Sequence, residues 1–344
     1  MTHWTLRLPF VSLRLSARGS AIALALALMI AAGALLALRL GSYPLAPGTW
    51  GAILGGAGSD IEQMILLDHR LPRILTALGA GACFGLSGAM FQTMLRNPLA
   101  SPDVIGFNAG ASCGALVAII AAGSAATGGT ILLGALLGAF CTAVLVTGLA
   151  WRNGLQAERL VLIGLGVGFA LAALSDLLLS RTDARTAADM TKWLIGTLNA
   201  RDWQDVTLVW AGLALLSPML VWLHFPLARL GLPEDLAGGL GLRLSQLRLT
   251  ITALGIVLAT LAVCSAGPLP FVAFAAGPIA RALLRNGQPA LLGAAAIGAL
   301  LVLAADTAAR MIVTLHLPAG VFTALIGGPV MIWLLVTQLR KGKL

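Results

Sequence analysis

Ten runs of predominantly apolar residues, each close to the length needed to cross a bilayer, constrain this chain more than any other feature. Their approximate limits are 20–40, 72–93, 104–122, 130–150, 160–180, 205–223, 248–267, 271–285, 289–309 and 318–338. A spanning helix needs about 20 such residues, with roughly 17–25 tolerated. Hydrophobic residues make up 59% of the 344 positions and charged ones 10%, against about 25% charged in a soluble domain. Such a chain has too little polar surface to cover a water-soluble core. The expected fold is therefore all-α: a single polytopic membrane domain over 1–344 with about ten transmembrane helices. The run at 271–285 is short. It predicts either a tilted span or a half-helix, and the latter is stable only when buried in protein or lining a cavity.

Charge placement sets a topology. With the N-terminus in the cytoplasm, 14 of the 22 lysines and arginines fall inside and 8 outside. This bias fits cytoplasmic N- and C-termini and an even number of spans. The net charge of +9 is mostly this topological bias. Nucleic acid is excluded as a partner because no basic soluble face with polar or aromatic readers is present. Residues 1–19 read as a cytoplasmic N-terminal segment before a retained first helix, since the apolar run from Ala21 to Leu38 exceeds a usual signal core.

The four cysteines, Cys83, Cys113, Cys141 and Cys264, lie singly in apolar segments without a CxxC, and read as small buried packing residues. Many of the 41 glycines fall inside predicted helices. In water each costs about 1 kcal/mol relative to alanine, whereas in a bilayer small residues let helix backbones approach closely. Gly81 and Gly85, Gly106, Gly110 and Gly114, and Gly134 and Gly138 have the spacing for such packing.

No catalytic or metal constellation emerges. His3, His69, His224 and His316 are scattered without zinc-type partners, and the chain has no HExxH, no GxSxG and no phosphate-binding loop. A transporter without a nucleotide site draws energy from an ion gradient or from a separate ATPase. Gradient-driven carriers place acids at mid-membrane. Here Asp176 and Asp306 fall near the predicted outer ends of their segments, which favours a separate ATPase.

The stretch from Leu71 to Gly114 carries more specific information. Arg70-Leu71-Pro72-Arg73 opens a helix rich in glycine and alanine. That helix breaks at Asn97-Pro98-Leu99-Ala100-Ser101-Pro102, and Gly106, Gly110 and Gly114 follow. Further blocks are Trp151-Arg152-Asn153-Gly154 with Glu158-Arg159-Leu160, Gly231 to Leu242, Ala266-Gly267-Pro268-Leu269-Pro270-Phe271 through Arg281, and Ala304 to Arg310 followed by Leu317 to Pro329. In this order and spacing the blocks resemble the FecCD family, the permease subunits of ABC importers for iron-siderophores, haem and vitamin B12. The resemblance covers nearly the whole chain. One departure is Gly277-Pro278, where the family commonly has Pro-His.

The resemblance implies a type II ABC importer permease fold in the inner (plasma) membrane, with the pathway between two permease subunits, either two copies or this chain with a homologue. It implies two cytoplasmic ATPases that hold ATP and Mg, and a periplasmic or surface solute-binding protein. No cofactor, metal or catalytic residue is expected in this chain. The expected cargo is an intact ferric siderophore. The Asn97 to Asn108 and Trp151 to Gly154 blocks favour a catecholate of enterobactin type; haem, vitamin B12 and gradient-driven transport are the other readings.

Three sites are expected by the same resemblance. Arg70, Arg73 and Arg310 form the outer docking site for the binding protein, with Asp68 and Asp306 nearby to hold them. Asn97, Pro98 and Leu99, with Gln156 and Ala157 as a second element, form the cytoplasmic gate. The loop 230–244, with Glu234, Asp235, Ala237, Gly239, Leu240 and Gly241, couples to the ATPase. There Pro233 starts a short helix, and Gly238, Gly239 and Gly241 permit a sharp reversal.

Overall fold

The computed structural model describes residues 3–8, 11–41, 43–123, 128–152, 156–232, 234–285, 287–312 and 317–340. The centre of the bundle is a helix that begins earlier than the apolar run suggests. Ser59 and Glu62 form a reciprocal capping box that starts α3, Asp60–Gln63. The chain then continues through a π-helical stretch, Met64–Arg70, into α4, Leu71–Met94. Helix is thus unbroken from Asp60 to Met94, and Pro72 stands within it rather than at its start. The wide π turn accommodates a proline that has no N–H to offer. The Leu67 carbonyl, five residues before Pro72, accepts a hydrogen bond from Trp203 Nε1 at 3.0 Å.

The remaining expected runs are all helical. They are α1 (Ala17–Arg39), α5 (Phe107–Ala122), α6 (Gly128–Ala150), α7 (Ala157–Ser180), α9 (Trp203–Arg229), α11 (Leu244–Ala266), α12 (Val272–Leu284), α13 (Leu291–Met311) and α14 (Ala319–Arg340). Among the described residues, eight helices are long and apolar enough to cross a membrane, and α5 and α12 are shorter apolar helices. The α9 helix passes through Pro218 and Pro226 and ends six residues beyond the expected limit of 223. The α12 helix has 13 residues, or about 20 Å at 1.5 Å per residue, less than a hydrocarbon core of about 30 Å. It has the dimensions of a half-helix, and Val272 to Pro278 and Ala280 are buried.

Three elements were not expected. The N-terminal segment carries a strand pair: β1 (His3–Leu8) pairs antiparallel with β2 (Val11–Ser16) in the register Leu8↔Val11 to His3↔Ser16. The physical reason is a period-two alternation of apolar and polar residues in both halves. Trp50–Leu54 forms a short helix, α2, after α1. Ala184–Ile195 forms α8, an amphipathic helix after α7 that is too polar to register as a span.

Packing follows the glycines. The α4 helix is buried along most of its length and touches α9, α11, α12 and α13. Gly81 and Gly85 lie directly against the backbone of Gly298 and Ala294 in α13, leaving no room for a Cβ. Gly110 and Gly114 meet Gly134 and Gly138 of α6 in the same way. Glycine here serves close helix approach, as the spacing predicts. A third seam joins α8 to α14: Gly320 sits on the Ile195 carbonyl and donates to the Gly196 carbonyl at 3.1 Å. Cys83, Cys113 and Cys264 are buried, but Cys141 is exposed on α6, so the expectation of burial fails for that cysteine.

Candidate functional site

Two ends of the bundle carry the candidate residues. At the first, where α4 begins and α13 ends, two arginines share one carboxylate. Asp306 on α13 is fully buried, and Arg73 Nη2 reaches its Oδ1 at 2.7 Å. Arg73 Nε lies 3.0 Å from both carboxylate oxygens, a forked arrangement. Arg310, one helical turn after Asp306, brings Nε to 3.2 Å from Oδ2 and donates through Nη1 to the Ala37 carbonyl at 3.1 Å. Its Nη2 is buried without a hydrogen-bond partner among the described residues. Arg73 and Arg310 retain 20% and 14% side-chain exposure. Of the two acids expected to hold the arginines, Asp306 does so; among the described residues Asp68 pairs with none of them.

Arg70 differs from its neighbours. It is buried, and it donates to the carbonyls of Leu38 in the last turn of α1 and of Tyr43 in the segment that follows. Gly41 leaves the space that its guanidinium fills. The expectation of three presented arginines is corrected here: Arg70 is spent on holding the loop after α1. All three arginines nonetheless border one open depression of about 930 Å³.

At the opposite end, Asn97 closes the turn after α4. Its Oδ1 accepts from the Leu99 N–H at 2.9 Å, and the Ala100 N–H donates to the Asn97 carbonyl at 3.1 Å. This is the local turn that Asn-Pro favours. Arg96, in a left-handed conformation (φ 50°), donates through Nε to the Leu230 carbonyl at 2.9 Å and through Nη2 to the Leu232 carbonyl. Arg96 thus ties the Asn97 turn to the first residues of the expected coupling loop. Gln156 precedes α7, is exposed, and accepts from Arg159 at 3.2 Å. Among the described residues no hydrogen bond or ion pair joins it to the Asn97 turn. Ala157 begins α7, and its side chain lies outside the described residues.

The coupling loop contains a short helix, α10 (Glu234–Gly239). Pro233 and the side chains of Glu234 and Asp235 lie outside the described residues. The helix ends in a Schellman arrangement: Leu242 N–H donates to the Ala237 carbonyl at 3.2 Å, Gly241 N–H to Gly238 at 2.9 Å, and Gly241 has φ +81°. Ala237 is fully buried, whereas Leu236 and Leu240, four residues apart, are 60% and 61% exposed. A Cβ on Gly238 or Gly239 would meet nothing. The helix therefore offers an apolar stripe with open glycines beside it. Leu236 was not among the expected coupling residues, although its i, i+4 relation to Leu240 was available in the sequence.

The Gly277-Pro278 departure has a local explanation. Gln92 of α4 is buried; its Nε2 donates to the Phe274 carbonyl at 2.9 Å and its Oε1 accepts from Arg281 Nη2 at 2.7 Å. That Oε1 occupies the place where any Cβ at 277 would stand.

Known proteins share this architecture. Residues 27–337 match the model of the FecCD transport family. The ferric enterobactin transport system permease protein FepG of Escherichia coli K12 is 39% identical over 88% of this chain and 92% of its own length. The probable siderophore transport system permease protein YfhA of Bacillus subtilis is 36% identical over 89% of this chain and 92% of its own. The vitamin B12 import system permease protein BtuC of Salmonella paratyphi A is 33% identical, covering 92% and 95%. A solved structure described as an inward-facing conformation of a metal-chelate type ABC transporter superposes with a TM-score of 0.80 at 28% identity, over 92% of this chain and 99% of that one. With a family match along nearly all its spans, and relatives above 30% identity over most of their length, this chain belongs to the FecCD transport family, the membrane-spanning permeases of ABC importers, whose ATPase activity lies in a separate subunit.

Proposed function

We propose that this permease carries an intact ferric siderophore, with a catecholate of enterobactin type favoured, across the bacterial inner membrane with both its termini in the cytoplasm. The observation that carries the substrate reading is the 39% identity to FepG over 88% of the chain. The partners are a second permease subunit, two ATPases that hold ATP and Mg, and a solute-binding protein on the outer face.

The geometry supports a role for each group. Arg73 and Arg310 are the docking pair: guanidinium forks, partly exposed, share one carboxylate, so the cluster keeps excess positive charge for acids on a binding protein. Arg70 supports this surface from beneath. The Asn97-Pro98-Leu99 turn, with Gln156 and Ala157, is the inner gate. Within the coupling loop 230–244, Leu236, Gly239 and Leu240 face the ATPase, Ala237 and Gly241 shape the helix, and Glu234 and Asp235 lie in its first turn.

The test is reconstitution in liposomes with the partner permease subunit, the ATPase and the binding protein. ATP-dependent uptake of a radiolabelled ferric tricatecholate, exceeding that of ferric citrate and vitamin B12, is the expected result. Uptake driven by a proton gradient without ATP, or preference for vitamin B12, overturns the reading. Arg73→Glu and Arg310→Glu should each weaken binding-protein docking, by about 2–5 kcal/mol if the pair is desolvated in the complex.

A further inference from the structure

The N-terminal strand pair has two unlike faces. Directly opposed residues of an antiparallel pair share a face, and successive residues along a strand alternate between faces. The register sets Trp4 opposite Leu15, Leu6 opposite Leu13 and Leu8 opposite Val11, so all six positions of one face are apolar. The other face sets His3 opposite Ser16, Thr5 opposite Arg14 and Arg7 opposite Ser12. Two strands alone are at best marginally stable in water, and a pair with one apolar face needs that face covered.

The chain fixes where the pair sits. The β2 strand ends at Ser16 and α1 begins at Ala17, with no residue between them. The α1 helix is one of the eight long and apolar enough to cross a membrane. Its first turn is held at both ends: Ser16 Oγ accepts from the Gly19 N–H at 3.0 Å, and Arg18 Nη2 donates to the Leu283 carbonyl near the end of α12 at 3.0 Å. The strands therefore leave the bundle where α1 enters the membrane, and a strand of six residues reaches only about 20 Å from that point. Charge points the same way. Arg7, Arg14 and Arg18 fall within the first 18 residues, whereas the first acid of the chain is Asp60.

Resting on the cytoplasmic N-terminus proposed above, we propose that the β1–β2 pair is a lipid anchor lying flat on the inner leaflet, with its apolar face at the boundary between headgroups and acyl chains and Arg7 and Arg14 serving anionic phospholipid headgroups. Interfacial amphipathic segments sit this way, with the apolar face about 5–10 Å into that boundary and basic residues on the polar face. Each arginine near an anionic leaflet raises surface affinity roughly fivefold. The direct joint to α1 holds the pair at the lipid surface before any other subunit binds, which favours lipid over the ATPase as the occupant.

The test uses the full importer in nanodiscs of phosphatidylcholine with or without phosphatidylglycerol, in a Cys141→Ala background that removes the exposed cysteine. Leu6→Cys and Ser12→Cys, on opposite faces of the pair, are labelled separately with an environment-sensitive fluorophore. A nitroxide on the upper acyl chain should quench the label at position 6 far more than the label at position 12. Phosphatidylglycerol should strengthen that quenching, and Arg7→Glu with Arg14→Glu should cut the lipid-bound population roughly fivefold for each arginine lost. Arg7→Lys with Arg14→Lys should retain it, which separates lost charge from a lost fold. Equal quenching at the two positions, no response to phosphatidylglycerol or to the charge reversals, or shielding of position 6 from water only when the ATPase is present overturns the proposal. In right-side-out vesicles an impermeant maleimide should reach Ser12→Cys only after permeabilisation. Labelling from outside would sink the proposed topology instead, while the quenching contrast still reads the lipid contact.

Discussion

Replacing Asp306 by asparagine removes the one negative charge between two guanidinium groups while preserving shape. In the native structure the fully buried carboxylate receives Arg73 at 2.7 Å and Arg310 at 3.2 Å. Breaking a buried pair by removing one partner costs about 3–5 kcal/mol, because the other charge is left uncompensated. Here two positive charges are left, and they repel each other. Against this, Arg73 and Arg310 keep 20% and 14% exposure and can turn toward solvent, so the expected loss for Asp306→Asn lies near the lower end, about 3 kcal/mol. Equilibrium unfolding of the purified permease in mixed micelles, by detergent titration, measures it. Arg73→Met in the Asp306→Asn background should restore part of the loss, and the double-mutant cycle should give a coupling above about 1 kcal/mol. A change within about 0.5 kcal/mol for Asp306→Asn, the size of an ordinary surface substitution, would refute the view that this carboxylate holds the cluster together.

Three other substitutions address the remaining elements. Arg96→Met removes two hydrogen bonds from a charged group to the Leu230 and Leu232 carbonyls, each worth about 1.5–3 kcal/mol; uptake per ATP hydrolysed should fall several-fold while ATPase binding persists, and unchanged stoichiometry would dismiss the link. Leu236→Asp places a charge on the exposed face of α10 and should abolish ATPase co-purification without altering the thermal midpoint of the permease alone. Gly239→Trp should do likewise, whereas Ala237→Trp at a fully buried position should destabilise the loop itself. Gly298→Ala drives a methyl into the Gly81 backbone and should cost at least about 1–3 kcal/mol by overpacking. Gly148→Ala, with nothing near its Cβ, should be neutral or stabilise by up to about 1 kcal/mol; equal effects of the two would argue against the seam.

The spans were legible because apolar character marks a membrane helix whether it faces lipid or protein. What escaped was structure without that mark. The β1–β2 pairing was written in the alternation of Thr5, Arg7, Ser12 and Arg14 with apolar residues, but so short a period-two run stands out little beside the long apolar spans that follow. The α8 helix is too polar for a span and too short to stand out. The start of the central helix was misjudged because Pro72 looks like a helix opening, and only the π stretch before it permits continuation. At the sites, the grouping of Arg73 and Arg310 with Asp306 was expected, since two cations and one acid fall at the same predicted end. The roles of Arg70 and Arg96 were not, because both donate to main-chain carbonyls, which leave no trace in side-chain identity. Gly241 was readable as a helix stop, while the burial of Ala237 and the exposure of Leu236 required the packing of α10.

The central position of α4 has a consequence for how the protein is made. Its principal neighbours, α9, α11, α12 and α13, all come later in the chain, and roughly 200 residues separate the end of α4 from the start of α13. At a translation rate of about 5–20 residues per second, that interval is about 10–40 seconds. During it, the least hydropathic of the eight long apolar helices waits in or beside the lipid with its glycine grooves unfilled. The insertion machinery, or the earlier helix α1, has to shelter it until the second half of the chain arrives. Ribosome stalling or truncation before α13 should therefore leave a nascent permease prone to quality-control proteolysis, even though six of its eight long apolar helices are already synthesised.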